Sequence, residues 1–393
     1  MNAKIGLGDF IFKFGPGLPL GGYDARKQPS EGVHDDIHAR SVIIQLGADK
    51  ACLVSIDFVG LEKTRVESTK KKICEQFGVL EQNILICAIH THSAPLNIRL
   101  FAEPYKEFEQ VYDGIVESVK KAVTNMQDGV IKIVKTIIKG AAFNRRDWDE
   151  KSNYIEEEAT ILVFESLAGQ INGILYNYSN HPVVMDPSNL LISADWPYFT
   201  QHYLRNALND SELFVMFING TAGNTNPINS PMTGSKKRTF DDCKEIGDIT
   251  AKGILEALNQ SVPLSGNGIK GITKEVEIEA DDPDKEEIFT FANGRVENGV
   301  FKITTVIQAL KIGDLAIVSA PGEYFPHIAK SIKEKSPFKY TFVAGYANDY
   351  IGYSGLKEHY EIGGYEMFMM SLNSEEGPFL ERTSIDLLNS LNV

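Results

Sequence analysis

The sequence predicts an α/β protein in which mixed β-sheets are flanked by helices and built from three hairpin-helix-strand units. Three observations carry that expectation. A succession of strand, turn, strand, helix and strand recurs at about residues 41–95, 158–227 and 300–366. The 393 residues are 43% hydrophobic and 23% charged, the balance of a folded chain and not of a disordered or fibrous one. The polar residues best suited to chemistry fall just past the strand ends.

The first unit reads RSVIIQL, a turn at 47–50, ACLVSID, a helix over 63–77, and ILICAI ending in HTHS. The second reads ATILVFE, a turn at 166–170, INGILYNYS ending at NHP, a helix over 198–208, and LFVMFI ending in NGTAGN. The third reads FKITTVIQAL, a turn at 311–314, LAIVSA ending at PGE, a helix over 324–335, and YTFVAG ending in YANDYIGY. Between the first two units, apolar residues at 108, 111, 112, 115, 116, 119, 122, 123 and 126 predict an amphipathic helix over 105–126 lying on a sheet. All of 1–393 is read as one domain. The opening GLGDFIFKFGPGLPLGGY lacks the Lys and the preceding strand of a phosphate loop and reads as a turn-rich surface segment. Residues 226–243, rich in Pro, Ser, Gly and Lys, read as a loop that is either an active-site lid or a surface excursion, and 281–287 as an acidic loop.

Charge and composition narrow the partners. Fifty-three acids against 39 bases leave a net charge of -14, which disfavours nucleic acid and anionic membrane surfaces. No segment has the 18 or so continuous apolar residues that span a bilayer and the opening has no leader pattern, so no membrane insertion and a cytoplasmic location are expected. Cys52, Cys74, Cys87 and Cys243 form no CxxC pair and are expected as reduced, mostly buried thiols. A GxGxxG after a strand, a GxxxxGK followed by Ser or Thr, an HExxH and a GxSxG are all missing from the sequence, which removes dinucleotide, nucleotide, zincin and hydrolase-elbow chemistry.

What remains sits beyond the strand ends: Asp57, His90, His92, His181, Asn224, Glu323, Tyr350 and Tyr353. Loops past the carboxyl ends of strands converge on one rim, where sites are built. Two imidazoles and a carboxylate arriving from three units, His90, His181 and Glu323, suit a catalytic zinc, which takes three protein ligands and leaves a position open. HTH alone is explained equally well by polar capping of a strand; NHP and PGE tip the balance toward metal. With side chains alternating at period two, His90 and His92 point the same way, so one ring can bind metal while the other acts on substrate or water. Asp57 is either a partner orienting an imidazole or a helix N-cap. His34, Asp36, His38 and Arg40 could share one strand face, though exposed polar alternation is the commoner explanation. His202, His327 and His359 are read as packing residues.

At this point the chain resembles the catalytic domain of the neutral, non-lysosomal ceramidase family, as a divergent, bacterial-type member. The matching pieces are GVHDDIHARSVII, IHTHSAP, the NRR at 144–146, NYSNHPV, LISADWP, NGTAGNTNP, APGEYF, FVAGYANDYIGY and GGYE. The resemblance implies a zinc amidase that cleaves the N-acyl bond of a sphingoid base. It puts zinc on His90, His181, Glu323 and Tyr353, His92 and Arg145 around the scissile carbonyl, and a second active-site tyrosine at Tyr365, in the pair Tyr365-Glu366 twelve residues on. Arg145 and Tyr365 would then steady an oxyanion and His92 would move a proton.

One position departs. Before the Pro of NGTAGNTNP the family carries a Ser implicated in catalysis, and this chain has Asn226, which cannot serve as a hydroxyl nucleophile. Metal-activated water is therefore the expected nucleophile. The chain also ends at Val393, where the resemblance would place a further C-terminal domain, and shows no secretion signal. These features together lead to the expectation of an acylated small molecule other than ceramide. The expected activity is zinc-dependent hydrolysis of an amide (N-acyl) bond, with an ester or lactone as alternatives. The contrasting reading is a catalytically silent, metal-binding member that binds an acylated ligand.

Overall fold

The computed structural model describes residues 1–98, 109–146, 153–230, 238–280, 294–369 and 373–392. The acidic run 281–287 and the start of the helix expected over 105–126 lie outside them.

The chain opens on β1 (Asn2–Phe12), passes the short β2 (Gly32–Val33), and makes the hairpin β3 (Ile37–Leu46) and β4 (Asp49–Ile56). Helix α1 (Lys63–Phe77) returns it to β5 (Ile84–Ala88), parallel to β4. After α2 (Glu109–Thr124), β6 (Gln127–Ile137) and β7 (Ala142–Asn144) comes the hairpin β8 (Glu158–Ser166) and β9 (Ile171–Tyr178). Then β10 (Leu191–Ile192) and α3 (Trp196–Ala207) lead to β11 (Phe214–Asn219), parallel to β9. The chain continues through β12 (Thr225–Pro227), α4 (Phe240–Leu258), β13 (Val262–Pro263), β14 (Ile269–Ala280) and β15 (Gly294–Glu297). A last hairpin, β16 (Val300–Ile312) with β17 (Leu315–Ser319), is followed by β18 (Glu323–Tyr324), α5 (Pro326–Lys335) and β19 (Tyr340–Ala344), parallel to β17. The chain ends with β20 (Tyr353–Ser354), α6 (Lys357–Ile362), α7 (Tyr365–Met369) and α8 (Glu376–Leu391).

These elements stack in four layers, in keeping with the expected α/β class. A nine-stranded sheet, ordered β11-β9-β8-β6-β1-β3-β4-β5 with β13 against β6, carries α1 to α4 on one face. Its other face packs on a five-stranded sheet, β14-β16-β17-β19 with β15 against β16. Beyond that second sheet lie α5 and α8. The layering explains why VII, ILIC and ILVF read as unbroken apolar runs: Ile43, Cys52 and Val54 face the helices while Val42, Ile44 and Leu53 face the second sheet. A strand covered on both faces has no polar side to show.

Two expectations change here. The Gly-rich opening is a surface turn segment only in its middle, at 13–19, because residues 2–12 form an inner strand between β3 and β6. Gly6 and Gly8 are needed there for closeness: a Cβ on either would sit 2.0 Å from a carbonyl oxygen of α2, that of Ala122 or Ser118. Of the loop expected over 226–243, residues 231–237 lie outside the described residues, and its ends belong to other elements: Asn226 and Pro227 to β12, and Phe240 onward to α4, which begins behind a Thr239–Asp242 capping box and buries Cys243. Of the cysteines, Cys52, Cys87 and Cys243 are buried and all four are free thiols.

Asp57 neither orients an imidazole nor caps α1, whose N-cap is Glu62. It accepts two bonds from Arg40 Nη1, at 3.0 and 3.2 Å, and one from the His38 amide at 2.9 Å, while Arg40 Nη2 reaches Gln201 on α3 at 2.8 Å. His38 pairs with Asp9 at 2.7 Å, but His34 stacks on Phe240 and Asp36 pairs with Lys13, so those four residues form no single cluster.

Removing one member of a buried ion pair leaves the other uncompensated. Asp57→Ala is therefore expected to lower unfolding free energy by about 3 to 5 kcal/mol, with most of the loss recovered in Arg40→Met/Asp57→Leu. Urea unfolding followed by tryptophan fluorescence checks both, and a single variant as stable as the parent would contradict the pairing.

Candidate metal centre

The parallel pairs β4-β5, β9-β11 and β17-β19 all end at one rim of the stacked sheets. The segment after β19 joins them there. Gly345 N–H donates to Asn219 O at 2.9 Å, Asn348 N–H to Ile86 O at 2.8 Å, Ala347 N–H to Ala320 O at 3.1 Å, and Tyr346 O accepts from Ala88 N–H at 3.1 Å. Into that junction project His90 after β5, His181 after β9 and Glu323 after β17. His90 takes φ +71, a left-handed conformation costly for a residue with a Cβ and found where a site fixes the backbone.

Both imidazoles are oriented by backbone. His90 Nδ1 lies 2.5 Å from Val59 O and His181 Nδ1 2.9 Å from Thr225 O, so each Nδ1 carries the proton and each Nε2 offers its lone pair. Those Nε2 atoms face the same carboxylate, His181 at 2.9 Å from Oε2 and His90 at 3.5 Å from Oε1 of Glu323. The three ligand atoms lie within 4.8 Å of one another, and all three residues are buried. Among the described residues this is the one group of three His, Cys, Asp or Glu side chains gathered so closely.

Electrostatics sets the protonation that a metal needs. Burial, with help from His181 and Arg145, pushes His90 down to about 4 against the pull of Glu323. Burial alone would raise Glu323, but His90, His181 and Arg145 outweigh it and hold the carboxyl at about 2. A neutral imidazole with its Nδ1 held beside an ionised carboxylate is the donor chemistry of zinc, so these residues fit that ion.

Around this cluster the remaining expected residues gather. His92 Nε2 stands 3.2 Å from His90 Nε2, but not through strand alternation, because both residues lie past the end of β5 and His90 has a positive φ. Tyr353 lies abreast of Glu323 because β20 pairs with β18 in parallel. Arg145 stacks 5.4 Å from the Tyr353 ring and 5.7 Å from that of Tyr365. Asn226 is brought to Arg145 by the β12-β7 pairing, and its Oδ1 accepts from Nη1 at 3.4 Å while its Nδ2 donates to Ser230 at 3.3 Å. Tyr365 is about half exposed at the mouth.

Several contributors were given no role by the sequence, and of these only Tyr350 stood among the polar residues past the strand ends. Tyr346 stacks on His90 with centroids 4.2 Å apart and puts its hydroxyl 3.3 Å from His181 Nε2, and Tyr350 donates to Glu323 Oε1 at 2.5 Å. The end of the Gly-rich opening is a wall of the site: Tyr23 packs edge-on to His92 at 4.6 Å, and Arg26 Nη1 donates to the His92 carbonyl at 2.7 Å and that of Gly21 at 3.0 Å. The signal was GGY: Gly22 has φ +92, and a Cβ there would stand 2.2 Å from His92 Cγ.

Residues 15–245 match the family described as neutral/alkaline non-lysosomal ceramidase, N-terminal. The chain belongs to that family. The neutral ceramidase of Pseudomonas aeruginosa is 26% identical over 249 residues, 58% of this chain and 37% of that relative. The neutral ceramidase of Mycobacterium tuberculosis is 23% identical over 281 residues, 63% of this chain and 44% of its own. These matches thus span less than half the length of either ceramidase. The crystal structure of the Pseudomonas aeruginosa neutral ceramidase superposes with a TM-score of 0.84 at 20% identity, covering all of this chain and 74% of that one. At that identity the likeness speaks for a shared ceramidase fold.

Gly22 gives this wall a test that does not need a substrate. Gly22→Ala is expected to displace the His92 ring, shifting its imidazole resonances in long-range nitrogen-proton spectra. Unchanged His92 resonances would refute the packing argument.

Proposed function

We propose that this chain is a zinc-dependent hydrolase of an acylated small molecule, cleaving an N-acyl amide bond with water as nucleophile. The observation that carries the reading is the buried triad of His90, His181 and Glu323, with both Nδ1 atoms held by carbonyls and both Nε2 atoms turned to one low-pKa carboxylate. His90, His181, Glu323 and, following the ceramidase resemblance, Tyr353 would hold the ion, which supplies Lewis acidity toward a carbonyl and lowers the pKa of water. The relatives are named ceramidases, and ceramide is an N-acyl amide, which favours that bond over an ester or lactone.

The chain's own groups then divide the chemistry. His92, kept neutral by burial and by the neighbouring His90, His181, Arg26 and Arg145, is placed to take a proton from water and pass it to the departing nitrogen. Arg145 and Tyr365 present donors to the oxygen on which negative charge grows. Asn226 has no hydroxyl to acylate, and its amide is engaged by Arg145 and Ser230, so it orients and does not attack.

Elemental analysis of protein never exposed to chelator is expected to find about one zinc per chain. His90→Ala and His181→Ala should each remove most of it while leaving the fold intact, because the three large hydrophobic clusters among the described residues are built without either histidine. Metal at background in the parent protein would end the proposal. Tyr353→Phe should weaken metal retention, whereas Tyr365→Phe should keep the metal and lose turnover on N-acyl amides; full metal and full activity in both would show the assignment wrong.

Asn226→Ala is expected to slow turnover by about 10- to 1000-fold without abolishing it, the cost of one positioned polar group. Rapid mixing followed by intact-protein mass spectrometry should show no acyl adduct on the parent chain. Detection of one would replace water with a covalent route.

A further inference from the structure

The second arginine of the NRR at 144–146 and the glutamate that follows Tyr365 have no role in the chemistry so far. The structure joins them. Glu366 is 2% exposed and its carboxylate is divided between consecutive arginines: Oε1 accepts from Arg145 Nε at 2.5 Å and Oε2 from Arg146 Nη1 at 2.9 Å. Burial alone would raise this carboxyl, but Arg145 first, and then the bonds from the two arginines, hold it below the ordinary glutamate range. It is therefore an anion at neutral pH, and two full cations converge on it.

The geometry fixes both partners. Arg146 is 1% exposed, stacks 5.7 Å from the Phe325 ring, and donates from Nη2 to the Gly363 carbonyl at 2.6 Å, so it grips the entry to α7 as well as Glu366. Arg145 has its Nη2 on Gly223 O at 2.6 Å and only a long 3.4 Å bond to Asn226, which leaves Glu366 as the short, charge-assisted bond that sets the plane of its guanidinium. The same plane stacks against Tyr353 and Tyr365. Because α7 has five residues, it cannot hold itself in place through helix cooperativity. Its register against the site has to come from outside.

We propose that Glu366 is a positioning residue: by bridging Arg145 and Arg146 it orients the Arg145 guanidinium toward the reacting carbonyl and moors α7 so that Tyr365 faces the same point. Resting on the hydrolase reading above for its catalytic consequence, the bridge converts two surface-capable cations into one oriented donor. Two cations sharing one anion leave the bridge with a net positive charge. A donor held in place ahead of the reaction acts on the transition state more than on ground-state binding.

Two measurements test it. Hydrogen exchange needs no substrate: Glu366→Gln is expected to speed exchange about 10- to 100-fold across 363–369 and 144–146 and nowhere else, with zinc content unchanged and Glu366→Asp in between. Unchanged exchange in those two segments would overturn the mooring. Kinetics then examines the orientation on an N-acyl amide series. Glu366→Gln should lower kcat about 10- to 100-fold with KM within about threefold, and in an Arg145→Met background the same substitution should cost less than about threefold. Additive losses would mean that Glu366 does not act through Arg145, which overturns the orienting role. An absence of metal-dependent turnover in the parent protein, with the exchange pattern as expected, would instead count against the hydrolase reading alone and leave the bridge standing.

Discussion

A carboxylate that is 2% exposed cannot be left to itself, and the arrangement of this protein follows from how Glu323 is answered. Desolvating a charge costs several kcal/mol unless partners replace the lost water. The partners come from every part of the chain: the Tyr350 hydroxyl at 2.5 Å, His181 at 2.9 Å and His90 at 3.5 Å. Tyr350 follows β19, in the same sheet as the β17 that Glu323 follows, but the two histidines follow strands of the other sheet and can arrive only where the two rims meet. The bonds made by Gly345 to Asn219 and by Asn348 to Ile86 are what bring the rims together. The centre and the sheet stacking are thus one constraint. Loosening the junction would strand the carboxylate, and the carboxylate in turn holds the junction shut.

Which parts of this were readable in the sequence depends on whether the signal was local. The helix expected over 63–77 is α1 residue for residue, and β5, β8, β9, β11, β17 and β19 lie where the apolar runs placed them, because burial on both faces writes itself directly into composition. What the sequence hid was contact at a distance. Gly6 and Gly8 looked like turn residues because glycine is common in turns, whereas their purpose is to let the α2 backbone lie on β1. Helix α4 was lost behind a Pro-, Ser- and Gly-rich stretch, although the Thr239–Asp242 capping box marked its start. That β16 and β17 belong to a second sheet has no local signature, since its inward residues look like those of the first.

The candidate site divides along the same line. His90, His181 and Glu323 stood out because polar groups at the ends of buried strands need a reason. Asp57 stood out equally and its reason was different. The hairpin register sets Ala39 against Ile56, which brings Asp57 beside His38 and Arg40, so an ion pair across the hairpin follows from counting the pairing outward from the turn. Tyr346 and Tyr350 escaped assignment because the family resemblance directs attention to Tyr353, yet it is the first two whose hydroxyls reach His181 and Glu323.

Two of the proposed ligands are set by backbone: His90 by the carbonyl of Val59 and His181 by that of Thr225, which lies on β12. The residues proposed to act on substrate also hang on short elements, Asn226 on three-residue β12, Arg145 just beyond three-residue β7, and Tyr365 on five-residue α7, as Glu323 and Tyr353 do on two-residue β18 and β20. Short elements of this kind are held by side-chain bonds and can shift or change residue without disturbing the cores. The Ser-to-Asn difference that the family resemblance implies at 226 fits these terms, because Asn226 Oδ1 takes a bond from Arg145 and Nδ2 gives one to Ser230, so the position has a polar link to its neighbours without a hydroxyl. The scaffold can therefore keep its cores undisturbed while the groups proposed to act on substrate vary around the cluster of His90, His181 and Glu323.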